Sequence, residues 1–337
     1  MLSIIIPTLN EARNIETLIL QLKSQKKISL EIIISDGGSE DGTIEIGKAL
    51  GAKIVSGPKG RGQQLNRGAR SAIGEDYLFL HGDSELRDPD QLKKSLDFVR
   101  EQKGPVAGHY QIDFACDDPT VKKFLRFFEI KSIFNREGTF AGDQGLLISR
   151  KTFEEMEGFS EELTFLEDKE FGERFFRKGK FVTLPGRIRS SARRFEVEGM
   201  KERAILNLLI MSMHHLRLDN FFESASYIYR ESSEAGKLDL LPFFIQALHE
   251  LMRDGSIESF RKFSRLGRWA NSNIWQSFLW LGLKTKREHR LVKIYDNYFA
   301  KHTRNFFGDA LSTLAIIIWF FAKLLSQWTR NKLGKFF

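Results

Sequence analysis

Short, nearly unbroken apolar runs alternate with helical stripes through the first ~190 residues of this 337-residue chain. Ser3–Ile6 is a β-branched run, and Glu31–Ser35, Lys53–Val55 and Tyr77–Leu80 repeat the pattern. Between them, Glu11–Lys23 places Ile15, Leu18, Ile19 and Leu22 on one helical face, and further helices are predicted after Asp41 and over Gln63–Ala72. A later helix, Lys169–Lys178, follows Glu167-Asp168. Strands apolar on both faces belong to a mostly parallel sheet covered by helices, so an α/β fold is expected here. From about residue 200 helical periodicity dominates. Segments near Arg203–Leu218, Leu241–Arg253, Ile257–Gly267 and Ile274–Leu283, and a last one from about Phe306, predict an α-helical appendage. The expected division is a domain over 1–198 and a helical region over 199–337.

In a parallel sheet, ligands bind beyond the carboxyl ends of the strands. Three predicted strands end in polar residues there: Pro7-Thr8-Leu9-Asn10-Glu11, Asp36-Gly37-Gly38-Ser39 and His81-Gly82-Asp83-Ser84-Glu85. Asp83 with His81 or Glu85 is suited to a divalent cation, because carboxylates are hard oxygen ligands. Mg²⁺ or Mn²⁺ fits better than a structural zinc, since Cys116 is the single cysteine. The Asp36–Thr43 stretch reads either as a turn and helix cap or as a ligand-facing acid before a helix. Gly57-Pro58-Lys59-Gly60-Arg61-Gly62 has neither the P-loop nor the dinucleotide spacing, yet a basic glycine loop that opens a helix suits a phosphate. Glu167-Asp168 is either a helix start that favours acids or a pair of catalytic carboxylates.

Composition narrows the classes. Hydrophobic residues make up 42% and charged residues 28%, which excludes a disordered chain. One cysteine excludes a disulfide framework, and Met1–Pro7 reads as a first strand with no basic leader, so a cytoplasmic setting is expected. The net charge of +8 is unevenly placed: residues 200–337 hold 21 Lys/Arg against 12 Asp/Glu, and residues 1–199 hold 31 against 32. The basic part contains no recognisable nucleic-acid module, so no nucleic-acid partner is expected.

Taken in order, the Ser3–Glu11 stretch, the Asp36–Ser39 turn, the Phe79–Glu85 stretch and Glu167-Asp168 resemble the family-2 glycosyltransferases of GT-A fold. Arg61-Gly62-Gln63-Gln64-Leu65-Asn66, Gly142-Asp143-Gln144-Gly145 and Ser191-Ala192-Arg193-Arg194 resemble a bacterial subgroup of them. The resemblance implies a nucleoside-diphosphate sugar donor, a divalent metal and inversion at the anomeric carbon. It places Pro7, Thr8, Asn10, Glu11 and Asp36 beside the nucleoside, and Arg61 and Asn66 near the ribose and diphosphate. It makes Asp83 the metal ligand, with His81 where the family has a first aspartate. It makes Asp168 the base beside Glu167, puts Asp143 and Gln144 on the acceptor side, and gives Arg193 and Arg194 to phosphates. The rival readings are a degenerate nucleotide-sugar-binding module and a nucleotidyltransferase.

Toward the end, Ala310–Ala322 is uncharged but shorter than the ~20 residues a spanning helix needs. Trp319, Trp328, Arg330, Lys332, Lys335 and Phe336-Phe337 are residues an anionic membrane surface attracts. The expectation is an interfacial helix over 306–328, peripheral on the inner face of the cytoplasmic membrane, with a lipid-linked or envelope-glycan acceptor; a packing helix is the alternative.

Overall fold

The computed structural model describes residues 1–163, 165–234 and 238–333. The chain divides into two units, Met1–Ala192 and Arg193–Phe337. The boundary therefore falls before Arg193 and Arg194, not at residue 198, and both arginines belong to the helical unit.

In the first unit, β1 (Leu2–Thr8), β2 (Leu30–Asp36), β3 (Lys53–Ser56), β4 (Asp76–Phe79), β5 (Val106–Ala115), β6 (Leu146–Ser149) and β7 (Lys180–Ser191) form one sheet of order β3-β2-β1-β4-β6-β5-β7. β3, β2, β1 and β4 pair in parallel, β5 pairs β7 in parallel, and β6 alone runs against its neighbours. The carboxyl ends of β1, β2 and β4 thus open on one edge, as their sequences imply. Pro7 is tolerated inside β1 because β4 pairs only as far as Ile5, so the missing amide hydrogen has no partner to lose.

The helices are α1 (Ala12–Lys23), α2 (Thr43–Ala49), α3 (Arg61–Ser71), α4 (Gln91–Arg100), α5 (Pro119–Lys131), α6 (Arg150–Glu155) and α7 (Glu167–Phe176). Alternation along β1 assigns the faces. Ile4 and Ile6 pack with Ile15, Leu18 and Ile19 of α1 and Leu92 and Leu96 of α4. Ile5 points the other way, toward Leu65 and Ala69 of α3. On that second face Phe79, Phe153, Phe159 and Phe171 form a ring cluster with centroids 4.9–5.9 Å apart, which anchors α7 under the sheet edge.

The 105–145 stretch contains β5 and α5, and one expectation is corrected. The last helix of the unit starts at Glu167, not Lys169: Leu166 takes a left-handed φ of 70° and its carbonyl accepts from Glu170 N at 3.0 Å. Both acids therefore lie in the first turn, where the helix dipole favours negative charge.

The second unit is helical, and all seven strands lie before it. It comprises α8 (Arg193–Glu198), α9 (Met200–Leu216), α10 (Asp219–Glu234), α11 (Leu241–Met252), α12 (Ser256–Ser272), α13 (Trp275–Thr285), α14 (Glu288–Ile294), α15 (Ala300–Thr303) and α16 (Phe306–Leu333). α12 and α16 lie close together: a Cβ on Gly267 would stand 2.1 Å from Thr313 Oγ1. Phe244 and Phe263 close the contact around the buried Phe320. Over Phe306–Lys332, α16 is long and apolar enough to cross a membrane by length and composition, with 11% of its apolar window buried. Lys335, Phe336 and Phe337 lie outside the described residues.

Candidate active site

The ends of β1 and β2 are joined residue to residue. Thr8 is in register with Asp36, and Thr8 Oγ1 donates to Asp36 Oδ2 at 2.9 Å. Asp36 Oδ1 accepts from the amides of Gly38 (2.8 Å) and Ser39 (2.9 Å), and the Ser39 hydroxyl closes onto Oδ2. Burial pushes this carboxyl upward, but the bonds from Ser39, Gly38 and Thr8 outweigh it and hold Asp36 below the usual carboxylate range. Asn10, left-handed at φ 59°, accepts from Glu40 N through Oδ1 and donates its own amide to Ser39 Oγ, each at 2.9 Å. Glu11 N donates to Thr43 Oγ1 at 2.9 Å, and the Glu11 carboxylate accepts from Asn14. Loops 8–12 and 36–43 are thereby stitched into one rigid rim that contains Pro7, Thr8, Asn10, Glu11 and Asp36.

α3 supports that rim from below, and this changes the reading of the Arg61–Asn66 segment. Gln64 Nε2 donates to the carbonyls of Thr8 (2.8 Å) and Ser35 (2.9 Å), and Arg67 reaches the carbonyl of Asp36 at 2.8 Å. Asn66 faces away from the rim. Its side-chain amide donates to Phe159 O at 2.8 Å and to Glu161 Oε1 at 3.0 Å, and its Oδ1 accepts from Phe159 N. Both Asn66 donors are engaged by the 159–161 loop. Gly62 is required by a close approach, since a Cβ there would stand 2.2 Å from Ser160 O. Of the segment, Arg61 alone is exposed toward the site, with Nε 3.6 Å from Glu167 Oε1.

The acids converge around Gly142. Its amide donates to Asp168 Oδ2 at 2.6 Å, and a Cβ at this position would lie 3.0 Å from His81 Nε2 and 3.3 Å from Asp168 Oδ2. A side chain there would crowd both, so glycine suits the close seating of the 142–144 turn between the end of β4 and the start of α7. Asp168 Oδ1 accepts from Lys169 N at 2.8 Å, and Lys169 Nζ is tied to the Phe140 carbonyl. Burial raises the Asp168 carboxyl, but Lys169, the Gly142 amide, Arg61 and His81 together hold it below the usual range. Glu167 goes the other way. Fully buried and beside the ionised Asp168, it is pushed up against the pull of Arg61, and neither of its oxygens has a hydrogen-bond partner. Burial, with repulsion from Asp168 and Asp83, pushes Asp143 up to about 6 against the pull of Lys169 and Arg61.

Two other expected site residues are engaged within the first unit. Gln144 is buried and folds back on its own loop, accepting from Ala141 N and donating to Thr139 O, so it does not face a ligand. The Glu85 backbone pairs with Arg189, and its carboxylate lies 3.5 Å from Arg87 and 4.0 Å from Arg189, engaged away from a metal. Arg193 and Arg194 open α8 in the second unit. Gln64, Arg67 and Lys169 were not singled out by sequence; the signal for the first two was their i, i+3 spacing on a helix that opens at a glycine loop.

Among the described residues, no group of three His, Cys, Asp or Glu side chains closes a metal site by itself. The donor set still fits a divalent cation. Asp83, with His81 beside it on the 81–84 turn, would supply one or two ligands, and Mg²⁺ commonly takes the remainder from substrate phosphates and water. Four carboxylates, Asp83, Asp143, Glu167 and Asp168, act on one another here with Arg61 and Lys169 as counter-charges. That excess of negative charge favours a cation and opposes a bare diphosphate.

Residues 3–156 match the family model described as Glycosyl transferase family 2. The chain is similar to a PGL/p-HBAD biosynthesis glycosyltransferase of Mycobacterium tuberculosis, 33% identical over 110 residues, covering 31% of this chain and 43% of the relative. It is also similar to the succinoglycan biosynthesis protein ExoA of Rhizobium meliloti, 40% identical over 84 residues, covering 23% of this chain and 26% of ExoA. The chain therefore spans under half the length of the curated relatives it matches. Among solved structures, residues 1–349 of S. aureus TarS in complex with UDP superpose with a TM-score of 0.50 at 16% identity, over 88% of this chain and 90% of that one. Fold, strand-end motifs and family model agree, and over residues 3–156 the first unit of this chain matches glycosyl transferase family 2.

Proposed function

We propose that this chain transfers a sugar from a nucleoside-diphosphate donor to an acceptor hydroxyl, inverting the anomeric carbon, with a divalent cation on the diphosphate. The observation that carries the reading is the convergence of His81, Asp83, Asp143, Glu167 and Asp168 at the sheet edge where β1, β2 and β4 end. The rim from Thr8 to Ser39 offers the nucleoside a preformed wall, with Asp36 as its acidic member. Asp83, with His81, would hold the cation, which supplies positive charge against the leaving diphosphate.

Asp168 is the base. Held below the usual carboxylate range, it is ionised across neutral pH and keeps a fixed direction through the Gly142 and Lys169 amides. It takes the acceptor proton as the acceptor oxygen bonds to the anomeric carbon from the face opposite the phosphate. The sugar–phosphate bond breaks and its electron pair leaves with the nucleoside diphosphate. A base of modest proton affinity suits a reaction in which carbon–oxygen cleavage runs ahead of proton loss. Arg61 lies 3.6 Å from Glu167 at the same edge.

The test needs no knowledge of the acceptor, because release of nucleotide from a donor to water reports the same cleavage. UDP, the nucleotide of the TarS complex, is the first to try, followed by GDP, dTDP and CDP. Asp168→Asn is expected to lower donor cleavage by ~10²–10⁴ while keeping the stabilisation that nucleotide and Mn²⁺ confer. Equal cleavage by the variant would remove Asp168 from the mechanism. Nucleotide binding with no cleavage by the native chain would instead favour a binding module.

A further inference from the structure

One face of α16 has a composition that ordinary solvent exposure does not explain. From Phe307 through Leu311, Leu314, Ile318, Phe321 and Leu325 to Trp328, exposed apolar residues recur every three or four positions, with Phe307 80% and Leu311 70% exposed. Between Phe306 and Thr329 the helix has two charged residues, Asp309 and Lys323, and both are half-buried; Asp309 is bonded to Asn271 at 2.7 Å. No fully exposed position over six helical turns thus carries a charge, a patch of the kind that marks an interaction site.

The ends of that face differ from its middle. Lys301 and Arg304 stand exposed just before it, and Arg330 and Lys332 are exposed at its end, with Arg330 3.5 Å from the Glu202 carboxylate and the Lys332 ammonium 3.9 Å from the Trp328 ring centre. Aromatic residues also mark both ends, Phe306 and Phe307 at one and Trp328 at the other. A second copy of the chain is a poor occupant. Parallel or antiparallel, two such helices would bring basic end to basic end, and like charges at an interface oppose pairing. A spanning pose is excluded by the neighbour: α12 lies against the inner side of α16, through Gly267 on Thr313 and Phe263 on Phe320 and Phe321, and carries Arg261, Lys262, Arg265 and Arg268. Those charges cannot enter hydrocarbon with it.

We infer that the Phe307–Trp328 face of α16 lies flat in the headgroup layer of an anionic membrane, its apolar stripe in the acyl boundary and its two basic ends on lipid phosphates. The helix is a surface anchor and not a span. Ile257 and Phe260 are further exposed apolar residues at the start of α12, the helix that packs against α16 through Gly267 and Phe263.

The experiment is flotation of the full chain with vesicles of phosphatidylcholine alone or with about a third phosphatidylglycerol, at low and high salt. No donor or metal is present, so the result does not depend on the transferase reading. Binding is expected with the anionic vesicles and to weaken with salt. Leu311→Glu with Ile318→Glu should lower it at least ~10-fold without changing the melting curve, since both side chains are exposed. Arg330→Gln with Lys332→Gln should lower it roughly 20- to 30-fold, about fivefold per charge. No association with either vesicle would overturn the inference. So would a soluble dimer that Ile318→Glu dissociates, because a second copy would then be what covers the face.

Discussion

At Glu167 the chemistry of a single side chain sets a measurable sign. A carboxyl with no hydrogen-bond partner on either oxygen, buried beside an ionised aspartate, holds its proton above its ordinary value of 4.5. The folded state then binds more protons than the unfolded state between 4.5 and the raised value, so stability falls as pH rises through that window. Glu167→Gln removes the titration and keeps the shape. The variant should melt above the native chain at about pH 8, by an amount on the order of 1–3 kcal/mol, and the gap should close below about pH 4.5. A variant less stable than the native chain at alkaline pH would mean that the 3.6 Å contact with Arg61 outweighs burial. The adjacency of Glu167 and Asp168 was legible in the sequence. Their opposite displacement was not, because it comes from Gly142 and Lys169 reaching one carboxylate and missing the other.

Elements were legible where periodicity was clean and opaque where tertiary contact set the pattern. β1, β2, β4 and α1 appear in the sequence as β-branched runs and a four-residue apolar stripe, and the structure places them within a residue or two. β5 and β7 escaped notice: β5 carries His109 and Gln111 among its apolar residues, and β7 carries Pro185, Gly186 and six further polar positions. α3 shows a different failure. Its Arg61–Asn66 segment resembles a ligand-binding motif, yet Gln64, Asn66 and Gly62 work as fasteners that set α3 against β1, β2 and the 159–161 loop. Asn66→Ala should therefore leave Phe159 N and O without partners and cost about 1–3 kcal/mol, a fall in melting temperature of roughly 3–10 °C for a unit of this size. Gly62→Ala should cost at least as much, because its Cβ has to displace backbone. A ligand-contacting Asn66 would behave oppositely, raising the KM for donor with the melting temperature intact.

On the scale of the whole molecule, net charge misdirects. A pI near 9.4 suits a chain that binds phosphates through its own cations, but the excess lies in residues 200–337, and the half that holds the site carries 31 basic against 32 acidic residues. Locally the balance is more acidic still: Asp83, Asp143 and Asp168 face Arg61 and Lys169, and Glu167 adds to them wherever it ionises. A nucleoside diphosphate brought into that field adds negative charge to negative charge. Binding should therefore be linked to a divalent cation through electrostatics alone, whatever the cation does in the reaction. The expected pattern in thermal unfolding has three arms. UDP with EDTA gives no shift, Mn²⁺ alone gives a small one, and the two together at a hundredfold their dissociation constant add ~2.7 kcal/mol. Asp83→Asn should abolish the joint effect and leave the ligand-free melting point unchanged, since Asp83 is half-exposed and holds no structural bond among those described. A UDP shift that survives EDTA would show that Arg61 and Lys169 suffice for the diphosphate, and would remove the cation from the donor site.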